Sequence, residues 1–132
     1  MGQPLSLIWK GGEHDFRLTL GHLRALQDLC GAGPFEIRGR LMTDRARVDD
    51  VIATLRLGLQ GGGMDKAEAV KLVDATVENH GLMGLILPAL SVLTHALIGP
   101  EHDPVGDGEG KETGETLPPE NGGSPASTET AP

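Results

Sequence analysis

The sequence predicts a mainly α protein: a short N-terminal β-hairpin, a small bundle of four to five helices, and a disordered acidic C-terminal tail. Three observations carry this prediction. Strand-like alternation of apolar and polar residues occurs only before about residue 20. From there to Ile98, apolar residues recur at helical spacing between glycine and proline stops. After Gly99 the composition changes to Gly, Pro, Glu and Thr with almost no apolar content, which cannot offset the entropy of ordering a chain. The expected division is therefore residues 1–99, a helical domain with an N-terminal hairpin, and residues 100–132, a disordered tail.

At the front, "LSLIW" is β-prone, "KGG" is a turn, and "HDFRLTL" alternates, with Phe16, Leu18 and Leu20 expected on one side. Gly11 and Gly12 suit the positive φ angles of a tight turn. Thr19 is placed to cap a first helix through "LGHLRALQDLCG", whose stripe is Leu20, Leu23, Leu26 and Cys30 and which Gly31 ends. Pro34 opens a short second helix, "PFEIRGRLM", contributing Phe35, Ile37 and Leu41. A third helix, "RVDDVIATLRLGLQ", carries Val48, Val51, Ile52, Leu55 and Leu59, with Asp49 and Asp50 in the turn that the helix dipole favours for acids.

The stretch "GLQGGGMDK" raises the question of a phosphate loop. A Walker loop needs Lys and then Ser or Thr directly after its second glycine, and a strand before it. Met64 and Asp65 stand there instead, and a helical pattern precedes them. The glycines read as a helix–helix corner, with Gly61 or Gly62 in the left-handed conformation and Asp65 capping the next helix, helped by Glu68 three residues on. That fourth helix, "KAEAVKLVDATVEN", places Val70, Val73 and Val77 on one face beside Leu72 and ends at His80 and Gly81.

No charged residue occurs from Asn79 to Pro100. A membrane span is disfavoured there, because Gly84, Pro88, Ser91, Thr94 and His95 interrupt the run and its flanks are acidic. A fifth helix, bent or started late at Pro88, is expected to lie either at the bundle centre or with one side open to a partner. Leu85, Leu90, Leu93 and Leu97 are the candidate contact residues, chosen for apolar excess alone.

Of the net charge of −8, residues 101–132 hold −7 (eight acids and Lys111), so residues 1–100 are close to neutral. That balance disfavours nucleic-acid binding. Arg38, Arg40, Arg45 and Arg47 form a local basic cluster, but Glu36, Asp44, Asp49 and Asp50 interleave with it, which reads as a solvated helix face. The single cysteine, Cys30, permits no internal disulfide and sits at a helix end that disfavours thiolate. His14, His22, His80, His95 and His102 lack zinc-site spacing. Neither a secretory signal nor a supported lipid anchor is read at "MGQPLSLIWKGG", so a cytoplasmic location is expected. The expectation is a non-enzymatic adaptor with no catalytic residue, metal, cofactor, small-molecule substrate or membrane partner.

"GGEHDFRLTLGHLRALQDLCGAGPFEIRGRL" followed by "RVDDVIATLRLGLQGGGMDKAEAVKLVDATV" resembles the small gene transfer agent family proteins of phage-like tail modules. These belong to the phage tail assembly chaperones, and the family also carries the label of tail tube protein. The resemblance covers about residues 11 to 99 and rests most on "FRLTLGHLRALQ", the "CGAGPFEI" corner and "DDVIATLRLGLQGGGM". It implies a role in tail morphogenesis, as a chaperone that coats the hydrophobic tape measure protein before the tube forms. Self-association is a further expectation, read from the apolar fifth helix and not from the resemblance. The alternatives are a structural tail tube component and, from another class, a helical DNA-binding regulator.

Overall fold

The computed structural model describes residues 3–99. The expected disordered tail, residues 100–132, lies outside the described residues. A β-hairpin of β1 (Leu5–Trp9) and β2 (Gly12–Phe16) is followed by α1 (Leu20–Cys30), α2 (Pro34–Met42), α3 (Val48–Gly61), α4 (Lys66–His80) and α5 (Met83–Ile98). The strands pair antiparallel from Leu5 opposite Phe16 to Trp9 opposite Gly12, so the turn is Lys10–Gly11 alone. Gly12 takes a φ of 117°, and a Cβ on Gly11 would fall 2.5 Å from the Trp9 ring. The positive φ expected of both glycines is found at Gly12 alone, and Gly11 is kept small by the Trp9 ring instead.

The hairpin is docked by its inward face. Leu5, Leu7, Trp9 and Phe16 point to the core, and Ser6 and Ile8 point away. Trp9 packs edge-on against Phe16 with ring centroids 5.6 Å apart and donates its indole N–H to His14 Nδ1 at 2.9 Å. The expected apolar side of β2 holds for Phe16 and Leu18 but not for Leu20. The period changes at Thr19, where the chain turns into α1, and Leu20 becomes an exposed first-turn residue.

Each helix start and stop has a local cause. The Thr19 side chain accepts the His22 N–H, and His22 Nδ1 in turn accepts the Thr19 N–H at 3.2 Å, a reciprocal cap with histidine in the place usual for Glu or Gln. Gly31 closes α1, and Pro34 opens α2. Asp50 starts α3 by accepting the Arg47 N–H at 2.8 Å. Asp65 caps α4 by accepting the Ala67 N–H at 3.1 Å, whereas Glu68 makes no reciprocal bond. Pro88 lies inside α5 without ending it, so the late start expected there does not occur.

Helix α3 is the centre of the bundle, packed against α1, α4, α5 and β2. Its inward residues Val51, Leu55 and Leu59 are essentially inaccessible, whereas Val48 is half-exposed. Helix α5, apolar nearly all round, is peripheral and touches α2, α3 and β1. Its Leu85, Ala89, Val92 and Leu93 fill the core.

The triple glycine does more than turn a corner. Met64 N–H bonds to the Leu59 carbonyl at 2.9 Å and Gly63 N–H to that of Gln60 at 3.0 Å, the pattern of a Schellman helix end. The residue with positive φ is Gly63, at 115°, and not Gly61 or Gly62 as the sequence suggested. Those two have a different task. A Cβ on Gly61 would fall 1.7 Å from the Arg17 carbonyl oxygen, and one on Gly62 would fall 2.0 Å from that of Asp15. The end of α3 lies directly against the backbone of residues 15–17, and Arg17 N–H donates to the Gly58 carbonyl at 2.9 Å.

Candidate functional site

The candidate site is the outer side of α5 with the surface next to it. Leu85 and Leu93, two of the four residues picked from the sequence, are fully buried in the core. In this fold they hold α5 in place and offer no surface to a partner. Leu90 and Leu97 are half-buried at the edge. The residues that stand in solvent are Met83, Leu87 and Ile98, with Met83 and Leu87 at 89% and 71% exposure. Apolar excess along the sequence could identify the helix but not its outer face, because the polar residues that share that side, Ser91, Thr94 and His95, all fall in its second half and leave the first half unmarked.

Beside α5 lies a shallow groove of about 350 Å³ lined by Leu5 and Leu7 of β1 and by Leu90, Ser91, Thr94, His95 and Ile98. His95 Nε2 is 2.8 Å from the Gln3 carbonyl oxygen and holds the start of β1 against the helix. Arg38 of α2 donates through Nε to Thr94 Oγ1 at 2.9 Å and fixes the other flank. The groove is thus lined mainly by leucine and isoleucine hydrocarbon, and two of its polar lining residues, Thr94 and His95, are tied up in hydrogen bonds.

A second apolar recess was not read from the sequence. Ala25 and Leu29 of α1, Ile52 and Leu57 of α3 and Val70 of α4 line a groove of about 480 Å³, with Asp28, Asp49, Arg56 and Lys66 at its rim. Its signal was present in α1: Leu29 falls outside the stripe of Leu23, Leu26 and Cys30 and is 60% exposed.

The polar groups are structural. Arg40 and Asp50, expected on a solvated face, are buried as a pair, with Arg40 donating to both Asp50 oxygens at 3.1 and 3.2 Å. Glu36 flanks the pair at 3.4 Å. The sequence pattern could not separate this from a surface cluster, since Arg45 and Arg47 do remain exposed and Arg38 is only half-buried. Burial pushes the Cys30 thiol up to about 12, with the nearby Asp50 and Asp49 charges acting in the same direction. A thiol so held is a weak nucleophile. Burial, with a smaller effect of Arg17, lowers the His22 pKa from its ordinary value. Among the described residues no group of three or more His, Cys, Asp or Glu is arranged to hold a metal, and no helix is long and apolar enough to cross a membrane.

Comparison with known families places this arrangement. Residues 4–99 match the family described as phage tail tube protein, GTA-gp10. The chain belongs to that family. The match spans the hairpin and all five helices, so the α5 face and both grooves are built within the family's own domain. No curated protein and no solved structure matches the chain. Membership in the GTA-gp10 family makes this a tail-related protein of a phage-like or gene transfer agent particle.

Proposed function

We propose that the chain is a non-enzymatic tail-assembly chaperone that binds the tape measure protein through the outer face of α5. The observation that carries this reading is a helix without a single charged residue whose Met83, Leu87 and Ile98 project into solvent. Exposed apolar residues grouped on one face mark interaction surfaces. Met83 and Leu87, one turn apart, with Ile98 on the same side beyond Ser91 and Thr94, suit an apolar helical partner laid alongside them. Leu90 and Leu97 form the half-buried edge of the same face. The acidic residues 101–132 would keep the complex dispersed by charge repulsion.

A structural role in the tail tube is the second reading, and the description of the matching family favours it. Ring-forming tubes rest on extended sheets, and the described residues contain one two-stranded sheet. Co-expression with the cognate tape measure protein separates the readings. The chaperone reading expects co-purification and improved solubility of the tape measure, lost in Leu87→Glu while the melting temperature is kept. No co-purification, together with stoichiometric presence of the chain in finished particles, would establish the tube role instead.

A further inference from the structure

The two edges of the hairpin are treated differently by the fold. When a two-residue turn joins two strands, the pair flanking the turn exchanges both ladder hydrogen bonds, and bonded pairs then alternate along the strands. Trp9–Gly12, Leu7–His14 and Leu5–Phe16 are therefore the bonded pairs. Ser6 and Ile8 direct their N–H and C=O groups outward on one edge, and Glu13 and Asp15 do so on the other. The β2 edge is taken up: the end of α3 covers the carbonyls of Asp15 and Arg17 with its glycines, and Arg17 N–H reaches the Gly58 carbonyl. The β1 edge is open. Among the described residues, Ser6 and Ile8 have no backbone partner across it, and Ile8 is 83% exposed.

Native edges are usually guarded by charge, proline or a bulge. Strand β2 carries Glu13 and Asp15, but β1, "LSLIW", carries no charge, no proline and no bulge. We infer that the open β1 edge pairs with β1 of a second copy of this chain, giving a four-stranded antiparallel sheet across a two-fold axis at Leu7. The self-complementarity of the edge identifies the occupant. With Leu7 opposite its symmetry mate, Ser6 of each copy lies opposite Ile8 of the other. The two outward-facing residues then exchange about four backbone hydrogen bonds in all. On the inward face, Leu5 meets Trp9 of the other copy, and the grooves along Leu5 and Leu7 run together. Charge agrees: Glu13 and Asp15 stay on the outer strands of the four, separated by two uncharged ones, so no like charges meet. Two strands alone make a marginal sheet, and four make a stable one. Residues 100–132, rich in proline and acids, are a poor alternative strand for this edge.

Sedimentation of the full 132-residue chain tests the inference, comparing wild type with Ile8→Lys and Ser6→Lys, each checked for folding by its melting temperature. These changes leave the bonded pairs of the hairpin intact and place a charge beside the two-fold axis. The expected result is a concentration-dependent monomer–dimer equilibrium in wild type, with dissociation raised roughly tenfold or more in both variants. A wild-type chain that stays monomeric at its highest soluble concentration would overturn the inference. So would a dimer that persists in the folded variants, or assembly that continues past two copies, since isologous pairing closes at a dimer.

Discussion

Glycine has several different meanings in this chain, and the residue scale is where they separate. At Gly61 and Gly62 a methyl group would meet backbone oxygens that cannot move aside. Alanine there should cost about 3 kcal/mol or more each, at the upper end of overpacking. Gly63 has open space but a φ of 115°, so Gly63→Ala should cost about 1–3 kcal/mol in backbone strain. Gly39, inside α2 with nothing within 4 Å of its missing Cβ, should behave in the opposite way. Gly39→Ala should stabilise by roughly 0.5–1 kcal/mol. Denaturant midpoints of the four variants check this order, and a stabilised Gly61→Ala would refute the close approach. The sequence showed that three glycines mark a corner; it could not show that two of them serve contact with residues 15–17, because that contact is long-range.

His22 gives the pH dependence at the same scale. Its folded pKa lies below the unfolded value of 6.5 because burial, and then Arg17, disfavour the charged ring. The unfolded chain therefore binds the proton more readily. The stability is fully present above the unfolded value and is lost as pH falls from 6.5 through the lowered folded pKa. Protonation also removes the acceptor at Nδ1 for the Thr19 N–H. His22→Gln keeps an acceptor of the usual capping-box kind and removes the titration. Its melting temperature should fall less than that of wild type between pH 7.5 and pH 5, and an unchanged fall would place the titration elsewhere. Cys30 completes the residue-scale picture: its raised thiol should react with a disulfide reagent slowly at pH 8 in the folded chain and promptly once guanidinium unfolds it.

The elements themselves were legible because their signals are local. Thr19, Gly31, Pro34, Asp65 and Gly81 act on backbone groups within a few residues, so all five helices and the hairpin could be read without tertiary information. The α2–α3 junction was misread for the complementary reason. Arg40 and Asp50 are ten residues apart and meet only when the two helices pack, and nothing in an interleaved run of charges shows which members become buried. Asp50 has two duties, as the cap on Arg47 N–H and as the partner of Arg40. Asp50→Asn keeps an acceptor for the cap but leaves the guanidinium without a counter-charge, and Asp50→Ala removes both. The melting temperature should fall most for Asp50→Ala, less for Asp50→Asn and least for Asp74→Ala, whose partner Arg56 forms an exposed pair. If the first and last variants melt alike, the buried pair has no special place in the fold.

For the molecule as a whole, the question is which helix occupies the centre, and apolar content gives the wrong answer. Helix α5 has no charge at all, yet α3, which carries Asp49, Asp50 and Arg56, is the one enclosed by its neighbours. A central helix can hold polar residues where it starts and where it faces outward, as Asp50 and Arg56 do. A peripheral helix has no packing reason to be apolar on its outer face. The hydrocarbon on the outside of α5 is therefore surplus to this fold, and the family's tail-related role supplies a use for it. Two leucines of this one helix should then behave as different kinds of residue. Leu93→Ala removes side-chain volume from a closed core and should cost about 3 kcal/mol. In a domain of this size that lowers the melting temperature by roughly 10 °C or more. Leu87→Ala changes an exposed site and should alter stability by less than about 0.5 kcal/mol. Thermal denaturation of the pair tests the assignment of faces without any partner present. Equal losses from the two would mean that the outer face of α5 is packed after all, and the partner surface would then have to be sought in the groove between α1, α3 and α4.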